Sequence, residues 1–301
     1  MNTFDCVIIG AGPAGLSASL TLGRARRNIA LFDDGTNRNR VTQESHGYLT
    51  RDGIKPQQFK EIGLNEVKKY PSVSYFSTTV TKINHDQKTA LFIIKTKGNQ
   101  LFTAEKIILA TGIQETFPIP SIREYYGKSL FNCPYCDGWE MRDKPLIIIA
   151  EKEAFAMHMV KLLYGWSRDL VVATNGTKLS DEALEQLNKR KISIKTEPIK
   201  NLIGDNGYLE QVEFESGEII QRSGGFVVPT FHRPNQFAEQ LGCKVLEDGV
   251  VVTDSAGRTT IKNIYIVGET EKASSSSLIV AAADGQKVAT SVNMDLAIER
   301  F

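Results

Sequence analysis

Cysteine and histidine are scarce: the 301-residue chain has four of each. Four cysteines are too few for a disulfide scaffold of the secreted kind. Cys6 and Cys243 have no C-x-x-C or paired-histidine context that would suit zinc, so no metal is expected. No stretch approaches the roughly 18 consecutive apolar residues of a membrane-spanning helix. Neither sign of charge is in surplus, since 36 Lys+Arg against 35 Asp+Glu leave +1. That balance offers no basic face for nucleic acid or an anionic membrane. The start, Met1-Asn2-Thr3-Phe4-Asp5, lacks the basic region and apolar run of a secretory signal, so a cytoplasmic protein is expected.

What is present is ample apolar material, 41% of residues, enough to core one large or two modest domains. Residues 4–9 read as a buried strand, 13–26 as a helix and 29–32 as a second strand, which together make a βαβ unit. Residues 37–56 read as a long polar loop. Residues 73–97 and 101–103 alternate apolar and polar, which predicts an antiparallel meander, and 106–110 predict another buried strand. A second βαβ begins at Pro145, with strands at 146–150 and 170–173. Between them lies a helix presenting Phe155, Met159, Leu162, Leu163 and Trp166 on one face. An amphipathic helix is expected at 181–191, short strands over 209–228, a buried strand at 264–268 and a last helix from Leu278 to Ala297. Pro118–Pro120 and the stretch near Pro229–Pro234 are the expected crossings between domains.

Gly10-Ala11-Gly12-Pro13-Ala14-Gly15 has the G-x-G-x-x-G pattern directly after a strand and at a helix start. The first glycine permits the tight turn, the second lets backbone approach a pyrophosphate, and the third lets helix pack on strand. The helix start adds N–H donors and the positive end of its dipole. Asp33 closes the second strand, where an acid can bind a ribose hydroxyl. Asp34 beside it, with Arg38 and Asn39 in the polar loop, are further candidates for the same ligand. Cys133-Pro134-Tyr135-Cys136 is the other motif. Two cysteines so spaced can form a readily reducible disulfide in which one thiolate is favoured.

The chain resembles the low-molecular-weight thioredoxin reductases and their relatives over nearly its whole length. The matching pieces are Gly10–Gly15, Ala110-Thr111-Gly112, Cys133–Cys136, and Gly268-Glu269 followed by Ala281-Ala282-Ala283-Asp284-Gly285. The resemblance implies an α/β fold of two Rossmann-like domains. A discontinuous FAD domain would span 1–115 and 240–301, and a redox-disulfide domain with a degenerate NADPH-binding fold 116–239. FAD is the implied cofactor, held by the first, second and fourth pieces. Glu269 stands where the family has Asp, and Ser277-Leu278 where it has Gln-Ala. By the same resemblance Cys136 exchanges electrons with the flavin, Cys133 attacks the external substrate, and Asp137 donates or accepts the proton. A homodimer is implied, as is a thioredoxin-like protein or small dithiol as substrate. Asp137 as a plain turn residue before Gly138, and Tyr135 as packing only, are the structural alternatives.

Cys-Pro-Tyr-Cys followed by Gly138-Trp139-Glu140, with Ser45-His46-Gly47-Tyr48-Leu49 and Asp52-Gly53, is also similar to the dithiol oxidases of epidithio natural-product pathways. Those enzymes pass electrons to oxygen and carry His where this chain has Asp137. His46 is a candidate to sit over the flavin, with loop packing as its alternative. The second βα turn, Ala150-Glu151-Lys152-Glu153-Ala154-Phe155, has no glycine, and Glu151 and Glu153 would bring charge toward a pyrophosphate. No arginine cluster follows Ala173. NADPH is therefore not expected there. Thioredoxin-reductase-like flavoenzymes that similarly lack this motif draw electrons from ferredoxin or hold a second flavin. His158 and Trp166 read as packing. Three readings follow: a pyridine-nucleotide-independent disulfide reductase, an oxygen-dependent dithiol oxidase, and a non-catalytic flavin-binding redox sensor.

Overall fold

The computed structural model describes residues 3–271 and 276–301. They form two compact units: residues 1–40, 48–114 and 231–301, and residues 41–47 with 115–230.

The first unit is built on a seven-stranded sheet. β1 (Thr3–Ile9), α1 (Pro13–Arg24) and β2 (Ile29–Asp33) make the opening βαβ, and α2 (Pro56–Val67) precedes β3 (Val73–Ser77). β4 (Val80–Asp86), β5 (Leu91–Thr96) and β6 (Leu101–Leu109) follow, in the order β3-β2-β1-β6-β5-β4, and Ile264–Ile266 also pairs with β6. From Cys6 to Ile9, β1 is continuously apolar and buried because both faces are covered. Val7 and Ile9 enter one core with Phe32 and Phe92, while Cys6 and Ile8 enter the other with Leu31 and Val292.

The expected meander needs correction at both ends. β3 is not antiparallel; it extends the sheet as a parallel neighbour of β2. Residues 101–103 and 106–109 are one strand. Its first half, Leu101–Ala104, pairs antiparallel with β5, and its second half, Ile107–Leu109, pairs parallel with Ile264–Ile266. The change of partner along one strand is what split it in the sequence pattern. α2 was not foreseen, because 56–67 is nearly neutral in hydropathy and buries only its ends fully.

The second unit has a five-stranded parallel sheet. Its strands run Ser193–Lys195, Leu170–Ala173, Leu146–Ile149, Gly224–Val227 and Leu130–Phe131 across the sheet. A separate antiparallel sheet comprises Ile199–Asp205, Tyr208–Phe214 and Ile219–Gln221. The helix Glu153–Leu163 buries Ala156, Met159, Val160 and Leu163. Met159 and Leu163 belong to the expected face, but the buried stripe is rotated toward Ala156 and Val160. Phe155 lies outside it, exposed, with the Lys152 ammonium over its ring. Among the described residues no helix is long and apolar enough to cross a membrane.

Candidate functional site

In the first unit, a cavity opens at the carboxyl ends of β1 and β2, where an open parallel sheet places its ligands. Gly10, Gly12, Pro13 and Ala14 form one wall, and Ala110, Thr111 and Gly112 another. The glycines divide the work. Gly10 has φ +105°, and a Cβ there would lie 2.2 Å from the Ala110 carbonyl oxygen. A Cβ on Gly15 would lie 1.8 Å from the Gly10 carbonyl oxygen. Of the three glycines in this turn, Gly12 faces open space, with nothing within 4 Å of an added Cβ. It is also the N-cap of α1, has no capping side chain, and is followed by Pro13. The first-turn N–H groups, which no helix satisfies internally, are left for a ligand.

Both oxygens of Asp33 accept hydrogen bonds. Its Oδ1 accepts from the Ala11 N–H at 2.9 Å, and its Oδ2 from the Gly35 N–H at 3.1 Å and from Lys60 Nζ at 2.5 Å. Lys60, on α2, is a partner the sequence reading missed; it lies far along the chain, outside any motif. Asp34 accepts from the Thr36 N–H and hydroxyl, and Asn39 Oδ1 from Asn37 Nδ2 at 2.8 Å. Arg38 pairs with Glu269 at 2.8 Å, and the same Glu269 oxygen accepts the Ser276 N–H at 2.6 Å. Asp33, Asp34, Arg38, Asn39, Glu269, Ser277 and Leu278 all line the cavity. So does Thr111, whose buried hydroxyl has no hydrogen-bond partner among the described residues. An orphaned hydroxyl, a bare helix start and the open face of Gly12 fit a dinucleotide such as FAD.

Three of the expected contact residues are not among those lining this cavity. Gly15 does not line the cavity, because its missing side chain makes room for the Gly10 carbonyl. Gly268, at φ +62°, shapes a turn whose Cβ position faces Ala14 at 3.2 Å. His46 belongs to the second unit, where Val41 packs so closely on Gly127 that a Cβ there would stand 2.6 Å from the Val41 carbonyl. Its Nε2 lies 3.6 Å from Glu44 Oε2 and 3.7 Å from Glu140 Oε1.

Cys133 and Cys136 are joined in a disulfide, and Cys6 and Cys243 are free and buried. Cys133 caps the short helix Pro134–Asp137, and Gly138 follows. Trp166 packs behind this turn: a Cβ on Gly138 would meet its ring at 2.9 Å, and Tyr135 stands edge-on to it at 5.8 Å. Burial pushes the Asp137 carboxyl up to about 7, and the Glu140 carboxylate adds to the effect. Asp137 thus holds a proton across the acid side of neutrality, as a general acid beside a disulfide must. Tyr135 and Trp139 point outward, 75% and 65% exposed, with the Arg142 guanidinium 4.0 Å over the Trp139 ring.

The second βα turn is closed by its own side chains. Glu151 Oε1 accepts from Asn175 Nδ2 at 2.9 Å. Glu153 accepts from Ser180, from the N–H at 2.5 Å and from the hydroxyl at 2.9 Å. Both glutamates therefore tie the turn to the loop after Leu170–Ala173. Among the described residues no group of His, Cys, Asp and Glu could hold a metal ion.

The sequence pattern described as pyridine nucleotide-disulphide oxidoreductase matches residues 4–285. The crystal structure of a putative thioredoxin reductase, TrxB, from Bacillus anthracis is 60% identical with a TM-score of 0.97, covering 99% of this chain and 100% of that one. That of an oxidoreductase from Agrobacterium tumefaciens is 31% identical with a TM-score of 0.91, covering 99% of each chain. A probable thioredoxin reductase from Arthroderma benhamiae is 28% identical over 99% of this chain and 82% of its own length.

Proposed function

We propose that this chain, which belongs to the pyridine nucleotide-disulphide oxidoreductase family, works without a pyridine nucleotide. It is a FAD-dependent disulfide oxidoreductase of the thioredoxin-reductase type. In our reading Cys133–Cys136 is its redox disulfide, and electrons arrive from ferredoxin or another carrier. They leave to a disulfide in a thioredoxin-like protein, the partner class that the relatives' names suggest, or in a small molecule. Bound FAD supplies two-electron chemistry and the exchange partner of the disulfide.

The chain's own residues do the rest. The Gly12 backbone and the start of α1 hold the pyrophosphate, and Asp33, kept in place by Lys60, faces the ribose. Reducing the Cys133–Cys136 bond takes two electrons and, to give two thiols, two protons. Asp137 is the group poised to deliver a proton to the departing thiolate. Cys133 then attacks the external disulfide, forming a mixed disulfide that Cys136 resolves. Tyr135 and Trp139 offer the partner an exposed aromatic surface beside the cysteines. A homodimer is part of the same reading, and light scattering of the purified protein measures it.

The observation that carries independence from NADPH is the second βα turn, free of glycine and tied by Glu151 and Glu153 to Asn175 and Ser180. The test is anaerobic stopped-flow mixing with NADPH, reduced ferredoxin and dithiothreitol in turn. Millimolar NADPH is expected to bleach the flavin far more slowly than the other two. Bleaching within seconds that saturates at micromolar NADPH would overturn the reading. Cys136→Ser is the control: thiol-linked exchange is lost while FAD stays bound. The same closed turn also suits a dithiol oxidase, which needs no nucleotide. Oxygen consumption on adding a dithiol, with no turnover from a reduced carrier, would favour that direction of flow.

A further inference from the structure

Arg38 is a sequence candidate for direct contact with the ligand, yet its guanidinium is engaged by protein. Its Nη2 donates to Glu269 Oε1 at 2.8 Å, and its Cζ lies 5.6 Å from the centre of the Phe231 ring. The Ser276 N–H donates to the same Oε1 at 2.6 Å. Glu269 Oε2 accepts no hydrogen bond from the described residues, although Glu269 lines the cavity and its side chain is only 15% exposed. One carboxylate oxygen is consumed by the cavity wall and the other is left over. An ionised carboxylate only accepts, so a spare oxygen there calls for a ligand that donates.

The sheet order says which part of the ligand that is. Asp33 ends β2, and the Gly10–Gly15 turn follows β1. Ile264–Ile266, which leads into Gly268-Glu269, pairs with β6 on the side away from β1. At about 4.8 Å per strand, it stands about 14 Å across the sheet from β2, with the glycine turn between them. A dinucleotide with its ribose at Asp33 and its pyrophosphate at Gly12 brings its other half to Glu269. In FAD that half begins with the ribityl chain, a row of hydroxyl donors.

We propose that Arg38 is a positioning residue and not the counter-ion of the phosphates: by holding Oε1 of Glu269 it leaves Oε2 to accept a ribityl hydroxyl. This rests on the reading of the Gly12 turn as the pyrophosphate cradle and of Asp33 as facing the ribose. The resembling family has Asp where this chain has Glu269. The longer side chain has one more rotatable bond to order, at a cost in entropy that two fixed donors on Oε1 offset. Arg38 supplies one from the loop after β2, and the Ser276 N–H supplies the other from just before the last helix. Phe231 seats the flat face of the guanidinium, a role a lysine ammonium fills less well.

The test measures binding to the flavin-free protein of FAD, by quenching of its fluorescence, and of ADP, by competition with FAD. ADP carries the adenosine and both phosphates but no ribityl chain. Arg38→Met is expected to weaken FAD about tenfold and ADP by less than about threefold. Glu269→Ala should weaken FAD about 10- to 100-fold and spare ADP in the same way. Because Arg38 acts through Glu269, Arg38→Met added to Glu269→Ala should cost less than about threefold more. Arg38→Lys should fall between the parent and Arg38→Met, and it carries the comparison if melting shows Arg38→Met unfolded. Equal losses of ADP and FAD would make Arg38 a counter-ion of the phosphates and overturn the proposal. Additive losses in the double variant, or unchanged FAD binding in a folded Arg38→Met, would overturn it as well. If millimolar ADP does not compete in the parent, the placement of the pyrophosphate is wrong and the proposal goes with it. If the parent takes up neither ligand, the flavin site itself is misassigned.

Discussion

At Gly10–Gly15 the chain leaves a buried strand and enters a helix with three glycines; at Ala150–Phe155 it makes the same passage with none. Both passages join parallel strands and both helices pack on their sheets. Backbone plan and ligand chemistry are therefore separable. Strand and helix follow from apolar residues buried on both faces of each sheet. What the turn can hold depends on a few positions: one where a Cβ would enter open space, one where helix and strand touch, and the polar groups around them. In the first turn these are left open, and Thr111 keeps an unused hydroxyl. In the second, Glu151 and Glu153 consume the donors of the following loop.

Substitutions can break this comparison. The largest effect is expected at Gly15. Gly15→Val forces a Cβ into the space 1.8 Å from the Gly10 carbonyl oxygen, which should cost about 3 kcal/mol or more. Thermal melting should show the first unit destabilised even without flavin. Asp137→Asn comes next. Burial raises the folded-state carboxyl from its ordinary 3.8 to about 7, so its contribution to stability is complete below about pH 4 and lost as pH rises through 7. The variant has no such loss. Urea titration of both proteins should show the parent falling behind by about 2–4 kcal/mol between pH 4 and pH 8. Equal pH dependence would show that Asp137 is not held protonated.

Gly12→Val isolates ligand from fold. A Cβ added there has no protein atom within 4 Å, so the melting of the flavin-free protein should change by less than about 1 kcal/mol. FAD content, read from the ratio of flavin to protein absorbance, should collapse. In the second unit the corresponding changes are expected to be small. Glu153→Ala removes two hydrogen bonds to Ser180 and should cost about 1–2 kcal/mol. Glu151→Ala, at an exposed position, should stay within about 0.5 kcal/mol. A loss of flavin from either would overturn the separation of the two turns.

The sequence announced the two βαβ passages because their strands are continuous apolar runs and the glycine spacing has one steric meaning. Asp33 was legible for the same reason, since it ends a strand beside that turn. Lys60 was not. It sits on a helix whose sequence shows neither strong amphipathicity nor a motif, and only folding brings its ammonium to Asp33. His46 was legible as a polar residue in a functional loop, but its partner was not, because Glu140 is remote in sequence. The helix at 153–163 shows a subtler failure. Phe155 is the largest apolar residue near its start, yet small Ala156 is the one that fits the sheet.

The pairing of Glu153 with Ser180 has a thermodynamic consequence. A soluble ligand stabilises a fold by mass action, so its contribution varies with its free concentration and reaches about 2.7 kcal/mol at a hundredfold excess over Kd. A carboxylate carried on the chain is always present at its site. If the second turn takes no nucleotide, as proposed, the stability of the second unit is not raised or lowered by a nucleotide pool through this turn. The first unit, with its bare helix start, remains coupled to the supply of flavin. When flavin runs short, the two halves of one polypeptide should part company: the half that carries its own anion keeps its fold, and the half that must borrow a cofactor is the first to open to proteolysis.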